Sequence, residues 1–438
     1  MNPSWTSPLR EIEHRVQERA KQLSVSLHNP NGAALIRRFV EEEVSAWVAE
    51  HESGLFSTSI ADPPALAERA WRNVAGYGPL HPLLADDDVW EIMVNAPDAI
   101  FVRRHRGRSG YHDEVFHDEE HVQRTLMRIL DDAAGSHRKF DPSEGLQDAQ
   151  LADGARVHIV HGDIARGGHT LFNIRKFTGV AFRSLDELVQ QGSLDQPSAK
   201  FLRAAVRSRL SIVFAGRPGS GKTTLLSCCA AELDPTLRVV VAEEVFETDI
   251  PLPNVAHLQT RPPRPDRPAI GLRQLVSGFL RMAPDVAIVG EVRDSEALPL
   301  LMTLSSGVSG FTTIHAASAR QALSRLRFLA QLAGPASQIS PAALGALVSE
   351  SVDLVVHCAR NGDRVEVTEV CAVEDLQAAA ESNVFTLTPI FSRPGPGAPL
   401  YWSGCLPSRA RHAFGAKGYD VTELLAGCDR AMSKTVTP

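Results

Sequence analysis

Leu210-Ser211-Ile212-Val213-Phe214-Ala215 is a short apolar run that leads directly into Gly216-Arg217-Pro218-Gly219-Ser220-Gly221-Lys222-Thr223. The second segment fits G-x-x-x-x-G-K-[ST], and an apolar strand, a glycine turn and a helix start follow in the order this motif needs. The glycines allow a tight loop whose backbone N–H groups point inward. The helix opening at Lys222 adds its positive N-terminal end. Such a loop cradles the α and β phosphates of a nucleotide, with Lys222 reaching the β and γ phosphates and the Thr223 hydroxyl binding Mg²⁺.

The flanking pattern predicts the sheet that carries the loop. Strands at 211–215, 238–242, 286–290 and 311–314 alternate with helices at about 222–233, 270–282, 294–306 and 317–333, as in a parallel α/β sheet with crossover helices. Residues 251–268 are rich in proline and read as an extended loop. Upstream, Leu9, Ile12, Val16 and Leu23, then Leu35, Ile36, Phe39, Val40, Val44 and Trp47, recur at helical spacing. The break at His28-Asn29-Pro30-Asn31-Gly32 makes them a helical hairpin, and a third helix is expected after Asp62-Pro63-Pro64. From Gly76 to Lys176 short alternating pieces, among them Glu91–Val94, Ile100–Val102 and Arg156–Val160, predict a small α+β domain. Beyond about residue 350 the texture is strand-like, Arg393 to Pro399 is a spacer, and Val421 to Met432 is expected to form a last helix.

Composition narrows the function. The chain has 438 residues, enough for two or three domains, with 45 basic and 52 acidic residues and a net charge of −7. That balance argues against a nucleic acid held mainly through its phosphates. No stretch of about 18 apolar residues occurs and Met1 to Arg10 has no apolar signal core, so a soluble, intracellular protein is expected. The six cysteines form no C-x-x-C pair, which argues against a zinc site or a disulfide framework; Cys228 and Cys229 are expected to be small buried thiols.

Hydrolysis of a bound nucleotide also needs a carboxylate to organise Mg²⁺ and the attacking water, and positive charge to meet the transition state. Val286-Ala287-Ile288-Val289-Gly290-Glu291 delivers Glu291 at the C-terminal end of a buried strand, where ligands sit in open α/β sheets. Gly290 stands where many enzymes of this kind place a metal-binding aspartate, which points to water-mediated metal contact and to Glu291 as the base. Arg238–Ala242 ends in Glu243-Glu244, and Phe311-Thr312-Thr313-Ile314-His315-Ala316 carries a histidine to the same sheet edge. His315 is there a candidate γ-phosphate contact or sensor.

The order of these motifs, with Gly290-Glu291-Val292-Arg293 and Thr313-Ile314-His315-Ala316, resembles the traffic ATPases of type II and type IV secretion systems. Tyr77-Gly78-Pro79-Leu80, Glu91-Ile92-Met93-Val94-Asn95, Asp153-Gly154-x-Arg156-Val157, Ile174-Arg175-Lys176-Phe177, Thr260-Arg261-Pro262-Pro263 and Leu280-Arg281-Met282-x-Pro284-Asp285 narrow the resemblance to the CpaF-type ATPases of Flp (tight-adherence) pilus assembly. It covers about residues 70 to 375. What it implies is an α/β fold with a RecA-like P-loop ATPase domain at 197–375. A helical segment (1–70), a small α+β, PAS-like domain (71–178) and a linker (179–196) precede it, and an extension (376–438) follows.

The resemblance implies further an ATP- and Mg²⁺-dependent homo-hexamer in the cytoplasm, peripheral at the inner face of the membrane through a polytopic platform protein, with no direct nucleic acid partner. Closure of the N-terminal domain over ATP drives it. Residue by residue, Gly216, Arg217, Pro218, Gly219, Ser220, Gly221, Lys222, Thr223 and Thr224 form the Walker A loop, Glu243 occupies the aspartate box, Glu291 is the Walker B glutamate and His315 is the histidine-box residue. Thr223, Glu243 and Glu291 hold Mg²⁺, partly through water. Arg156 and Arg175 are the candidates for arginines that reach the phosphates.

Three positions depart from the family pattern: Glu244 in the second place of the aspartate box, Gly307-Val308-Ser309-Gly310-Phe311 without the usual histidine, and Arg217-Pro218 inside the loop. Two other readings stay open beside the motor. One is a hydrolytically weak nucleotide-binding scaffold of a secretion platform. The other is the ATPase of a conjugative DNA-transfer machine.

Overall fold

The computed structural model describes the chain except for residues 1–6, 26–29, 54–59, 106–107, 133–139, 152–153, 177–181, 262–266, 333–338, 363, 375–384, 406–407, 421–423 and 426–438. The chain divides into two compact units, residues 1–178 and 179–438. The expected helix at Val421 to Met432 lies largely outside the described residues, as do residues 179–181 of the linker.

In the first unit, helices α1 (Pro8–Gln22), α2 (Pro30–Glu52) and α3 (Pro63–Ala75) pack on one another. Ser7 caps α1 and Asp62 caps α3, whose carboxylate accepts from Ala65 N at 3.0 Å. Their apolar stripes, including Ile12, Val16, Ile36, Phe39, Val40 and Trp47, are buried together. The buried Glu13 accepts a hydrogen bond from Asn73 Nδ2 at 2.7 Å and lies 2.8 Å from His117 Nε2, which ties α1 and α3 to the following segment. That segment runs α4 (His81–Ala85), β1 (Val89–Ala96), β2 (Ala99–Arg104), β3 (Gly110–Tyr111), α5 (Glu119–Asp131), β4 (Leu146–Gln150), β5 (Arg156–Val160) and β6 (Leu171–Arg175). The strands form one antiparallel sheet in the order β3-β2-β1-β6-β5-β4. Their alternate residues and the Val122, Leu126, Ile129 and Leu130 face of α5 enclose a core.

The second unit runs α6 (Leu185–Gln190), α7 (Gln196–Arg207), β7 (Ile212–Gly216), α8 (Lys222–Ala230), β8 (Val239–Glu243), β9 (Val255–Gln259), α9 (Leu272–Ser277), β10 (Val286–Val289), α10 (Ala297–Ser305), β11 (Ser309–His315), α11 (Ala319–Leu332), α12 (Pro341–Ser351), β12 (Leu354–Asn361), β13 (Arg364–Val373), β14 (Leu387–Ser392), β15 (Tyr401–Trp402) and α13 (Ser408–Ala416). One nine-stranded sheet has the order β15-β14-β13-β12-β7-β11-β10-β8-β9. From β12 to β9 the neighbours are parallel, and β13 to β15 add antiparallel strands. β7, β8 and β10 are buried along their whole length, as strands covered on both faces must be. This is an α/β, RecA-like arrangement in which β11 separates the strand of the phosphate loop from the strand before Glu291.

Two expectations are corrected. The proline-rich 251–268 segment is not all loop, because it contains β9. Among the described residues that strand lies at the sheet edge and pairs with β8 alone, so flanking prolines cost it no ladder bonds. The helix expected over 270–282 is a short α9 that ends at Gly278, followed by a 3₁₀ turn at Phe279–Met282. Residues past 385 enter the core: Phe414 on α13 is fully buried, with its ring edge-on to Phe201 of α7 at 5.3 Å.

Candidate functional site

β7 ends at Gly216 with φ 155°, and the loop passes through Gly219 (φ 71°) and Gly221 (φ 81°) before α8 starts at Lys222. These are conformations that glycine adopts readily. A Cβ on Gly216 would stand 2.3 Å from the Cys358 carbonyl oxygen, and one on Gly221 would stand 2.6 Å from Cγ1 of Val365. The loop thus fits against the β12–β13 hairpin only if both positions lack side chains. Arg217 and Pro218 are exposed, whereas Ser220 and Lys222 are buried and Thr223 and Thr224 are half-buried.

Two of the donors that a phosphate would use point at the loop's own backbone. The Arg217 carbonyl accepts from Lys222 Nζ at 3.1 Å and from Ser220 N at 3.2 Å. The loop is therefore preformed, with a carbonyl oxygen standing in for an anion. This is the fit expected of a phosphate site. Cys228 and Cys229, further along α8, are fully buried, and burial pushes the Cys228 thiol up to about 12.

Parallel register brings the other predicted residues to the same sheet edge. His315 pairs with Gly216 across β11 and β7, and Val289 of β10 pairs with Thr312 of β11 and Ala242 of β8. Glu291, just past β10, has Oε1 2.8 Å from Nε2 of His315 and Oε2 2.7 Å from a terminal nitrogen of Arg293. The other terminal nitrogen of Arg293 is 2.9 Å from Glu244 Oε2. Burial pushes the Glu291 carboxyl up, but His315 and Arg293 outweigh it and bring the group down to about 2. Thr313 Oγ1 donates to the Gly290 carbonyl at 2.8 Å, which fixes the turn that presents Glu291.

Glu243 and Glu244 differ in environment. Glu244 is exposed and meets Arg293, whereas Glu243 is 2% exposed. Its Oε1 accepts from the backbone N–H of Glu247 at 3.1 Å and of Thr248 at 3.0 Å, and its Oε2 accepts from Thr248 Oγ1 at 2.9 Å. Burial is the larger effect and raises its pKa to about 7, against the pull of these donors. The neighbouring strand explains the glycine before Glu291. A Cβ on Gly290 would stand 2.8 Å from Glu243 Cγ and 3.0 Å from its Oε1. The space that an aspartate at 290 would need is filled by the Glu243 side chain.

Arg156 and Arg175 belong to the first unit, where β5 and β6 place them directly opposite each other on one face of the sheet. Val157 and Ile174, their sequence neighbours, turn into the core of the opposite face. Glu91 of β1 continues the row next to Arg175. The sequence names Arg293 within the Gly290–Arg293 motif but assigns it no role, although a cation two residues past a strand-end glutamate is a local signal. It had no signal for Arg360, whose Nε donates to the Gly219 carbonyl at 2.7 Å from 141 residues away.

Among the described residues no group of three or more His, Cys, Asp or Glu could hold a metal ion, and no helix is long and apolar enough to cross a membrane. A Mg²⁺ held largely by nucleotide phosphates needs no such protein cage. The chain is 30% identical over 322 residues to a putative conjugal transfer protein of Mycobacterium tuberculosis, an alignment covering 70% of this chain and 88% of the relative. It is 32% identical over 331 residues to the type IV secretion system protein PtlH of Bordetella pertussis, covering 68% and 94%. Among solved structures, the VirB11 ATPase of the Brucella suis type IV secretion system matches with 27% identity and a TM-score of 0.36, covering 67% of this chain and 95% of that one. Residues 73–384 match the family described as type II/IV secretion system protein, and the chain belongs to that family.

Proposed function

We propose that this protein is an ATP-hydrolysing motor of a secretion or pilus-assembly system. The observation that carries this reading is the meeting, at one sheet edge, of a preformed phosphate loop with Glu291 and His315. Lys222 and the backbone N–H groups of Gly219 to Thr224 bind the phosphates, exchanging the Arg217 carbonyl for phosphate oxygens. Thr223 would hold Mg²⁺, with Glu291 and Glu243 contributing through water, and the ion would supply charge neutralisation at the phosphates. Glu291 orients and deprotonates the attacking water once Arg293 and His315 yield it. His315 then senses the γ-phosphate. Arg156 and Arg175 supply positive charge when the N-terminal domain, of PAS-like type, closes over the nucleotide.

The motifs that resemble CpaF-type ATPases support assembly as a homo-hexamer. Its partner is a polytopic platform protein, and the motor works in the cytoplasm at the inner face of the membrane. A second reading, the motor of a conjugative transfer system, draws on the names of the Mycobacterium relative and of the conjugal transfer protein TrbB of Rhizobium radiobacter. The net charge of −7 favours a motor that does not itself grip DNA.

Phosphate release by the purified chain tests the reading. Turnover is expected to require Mg²⁺, to rise steeply with protein concentration as rings form, and to disappear in Lys222→Ala together with nucleotide binding. Concentration-independent turnover would contradict the ring. Unchanged turnover in Lys222→Ala would contradict the site. DNA-stimulated turnover would favour the conjugative reading.

A further inference from the structure

The β12–β13 hairpin has no part in the reading above, yet it forms the outer wall of the phosphate loop. It presses on the loop at three points: the Cys358 carbonyl against Gly216, Val365 against Gly221, and Arg360 on the Gly219 carbonyl. Arg360 and Val365 are directly opposite each other in the hairpin and so act from one face.

We infer that Arg360 is a positioning residue for the nucleotide site, which sets the orientation of the Gly219–Ser220 peptide through its Nε–H. This inference rests on the proposed nucleotide site. The peptide is planar, so its C=O and N–H point in opposite directions. Holding the Gly219 oxygen outward on Arg360 holds the Ser220 N–H inward, where it lies on the Arg217 carbonyl at 3.2 Å. Gly219, at φ 71°, offers little resistance to rotation of this peptide, since glycine samples both signs of φ with similar ease. An external hold is therefore what keeps a phosphate donor facing the cradle. The bond is made by a hairpin that pairs with β7 itself, with Cys358 beside Gly216. Loop and clamp consequently share one rigid sheet.

The atom involved makes the idea testable. A glutamine side chain carries its amide nitrogen at the same place along the chain as arginine's Nε but has no charge, whereas methionine has similar length and no donor. Binding of a fluorescent ADP analogue and steady-state ATP hydrolysis are measured on full-length wild type, Arg360→Gln, Arg360→Met and Arg360→Lys, with thermal unfolding of each. Arg360→Met is expected to weaken nucleotide binding about tenfold, the scale of one directed hydrogen bond, and to raise KM more than it lowers kcat. Arg360→Gln is expected to restore most of the affinity.

Affinity in Arg360→Met equal to wild type would overturn the inference. So would rescue by Arg360→Lys with none by Arg360→Gln, because that pattern belongs to bulk charge rather than a directed bond. Loss of affinity matched by a lowered melting temperature in Arg360→Met but equally in Arg360→Gln would also count against it. Wild type that binds no nucleotide would overturn the reading of the site, and the inference with it.

Discussion

Glu243 is buried with no cation beside it among the described residues, and this has a measurable consequence for stability. Its folded pKa of about 7 lies above the ordinary value of 4.5. The folded state therefore binds this proton more tightly than the unfolded state does. Below about pH 4.5 both states are protonated and no penalty applies. As pH rises through the interval up to about 7 the folded unit loses stability, and above it the penalty is complete. A shift of about 2.5 units, at 1.36 kcal/mol each, comes to roughly 3 kcal/mol.

Glu243→Gln removes the titration but keeps the bonds: the amide oxygen accepts from the N–H groups of Glu247 and Thr248, and the amide nitrogen donates to Thr248 Oγ1. The variant should match wild type at about pH 4 and exceed it at about pH 8 by roughly 3 kcal/mol, or about 6 to 12 °C for a unit of this size. Thermal unfolding followed by circular dichroism without nucleotide reads this directly. A difference between the two proteins that does not change over that pH range would refute the reasoning. So would a Gln variant that is less stable at the higher pH.

Arg293→Ala removes one of the two groups that hold Glu291 down, so burial should carry the carboxyl upward. The acid limb of the pH–kcat/KM profile, which reports the free enzyme in which Arg293 holds Glu291, should then move toward neutrality, and superimposable profiles would contradict the role given to Arg293. Phe414→Ala should cost about 3 to 5 kcal/mol in denaturant unfolding of the second unit, since the ring is buried against Phe201. A cost near zero would mean that the C-terminal segment does not belong to that core.

The phosphate loop was legible because its three requirements are local and consecutive: an apolar strand, glycines at fixed offsets and a helix start. The ends of β8, β10 and β11 were legible for a related reason, since buried parallel strands are continuous apolar runs and their last residues fall at one sheet edge. What escaped notice depends on contacts distant in sequence. β9 exists because β8 offers it an edge, a pairing that outweighs the surrounding prolines. The short α9 reflects Gly278, a single residue inside a pattern that otherwise reads as helix. The reason for Gly290 lies on another strand, in the Glu243 side chain, and the clamp on Gly219 arrives from Arg360 in a hairpin whose strand pattern gave no hint of its neighbour.

In the proposed mechanism the phosphate loop and Glu291 divide the work, the loop binding the nucleotide and Glu291 activating water. Glu291→Gln separates the two, because it keeps the shape and removes the base. Nucleotide affinity and phosphate release measured on the same preparation should show binding close to wild type with release reduced by orders of magnitude. Release at the wild-type rate in that variant would contradict the account.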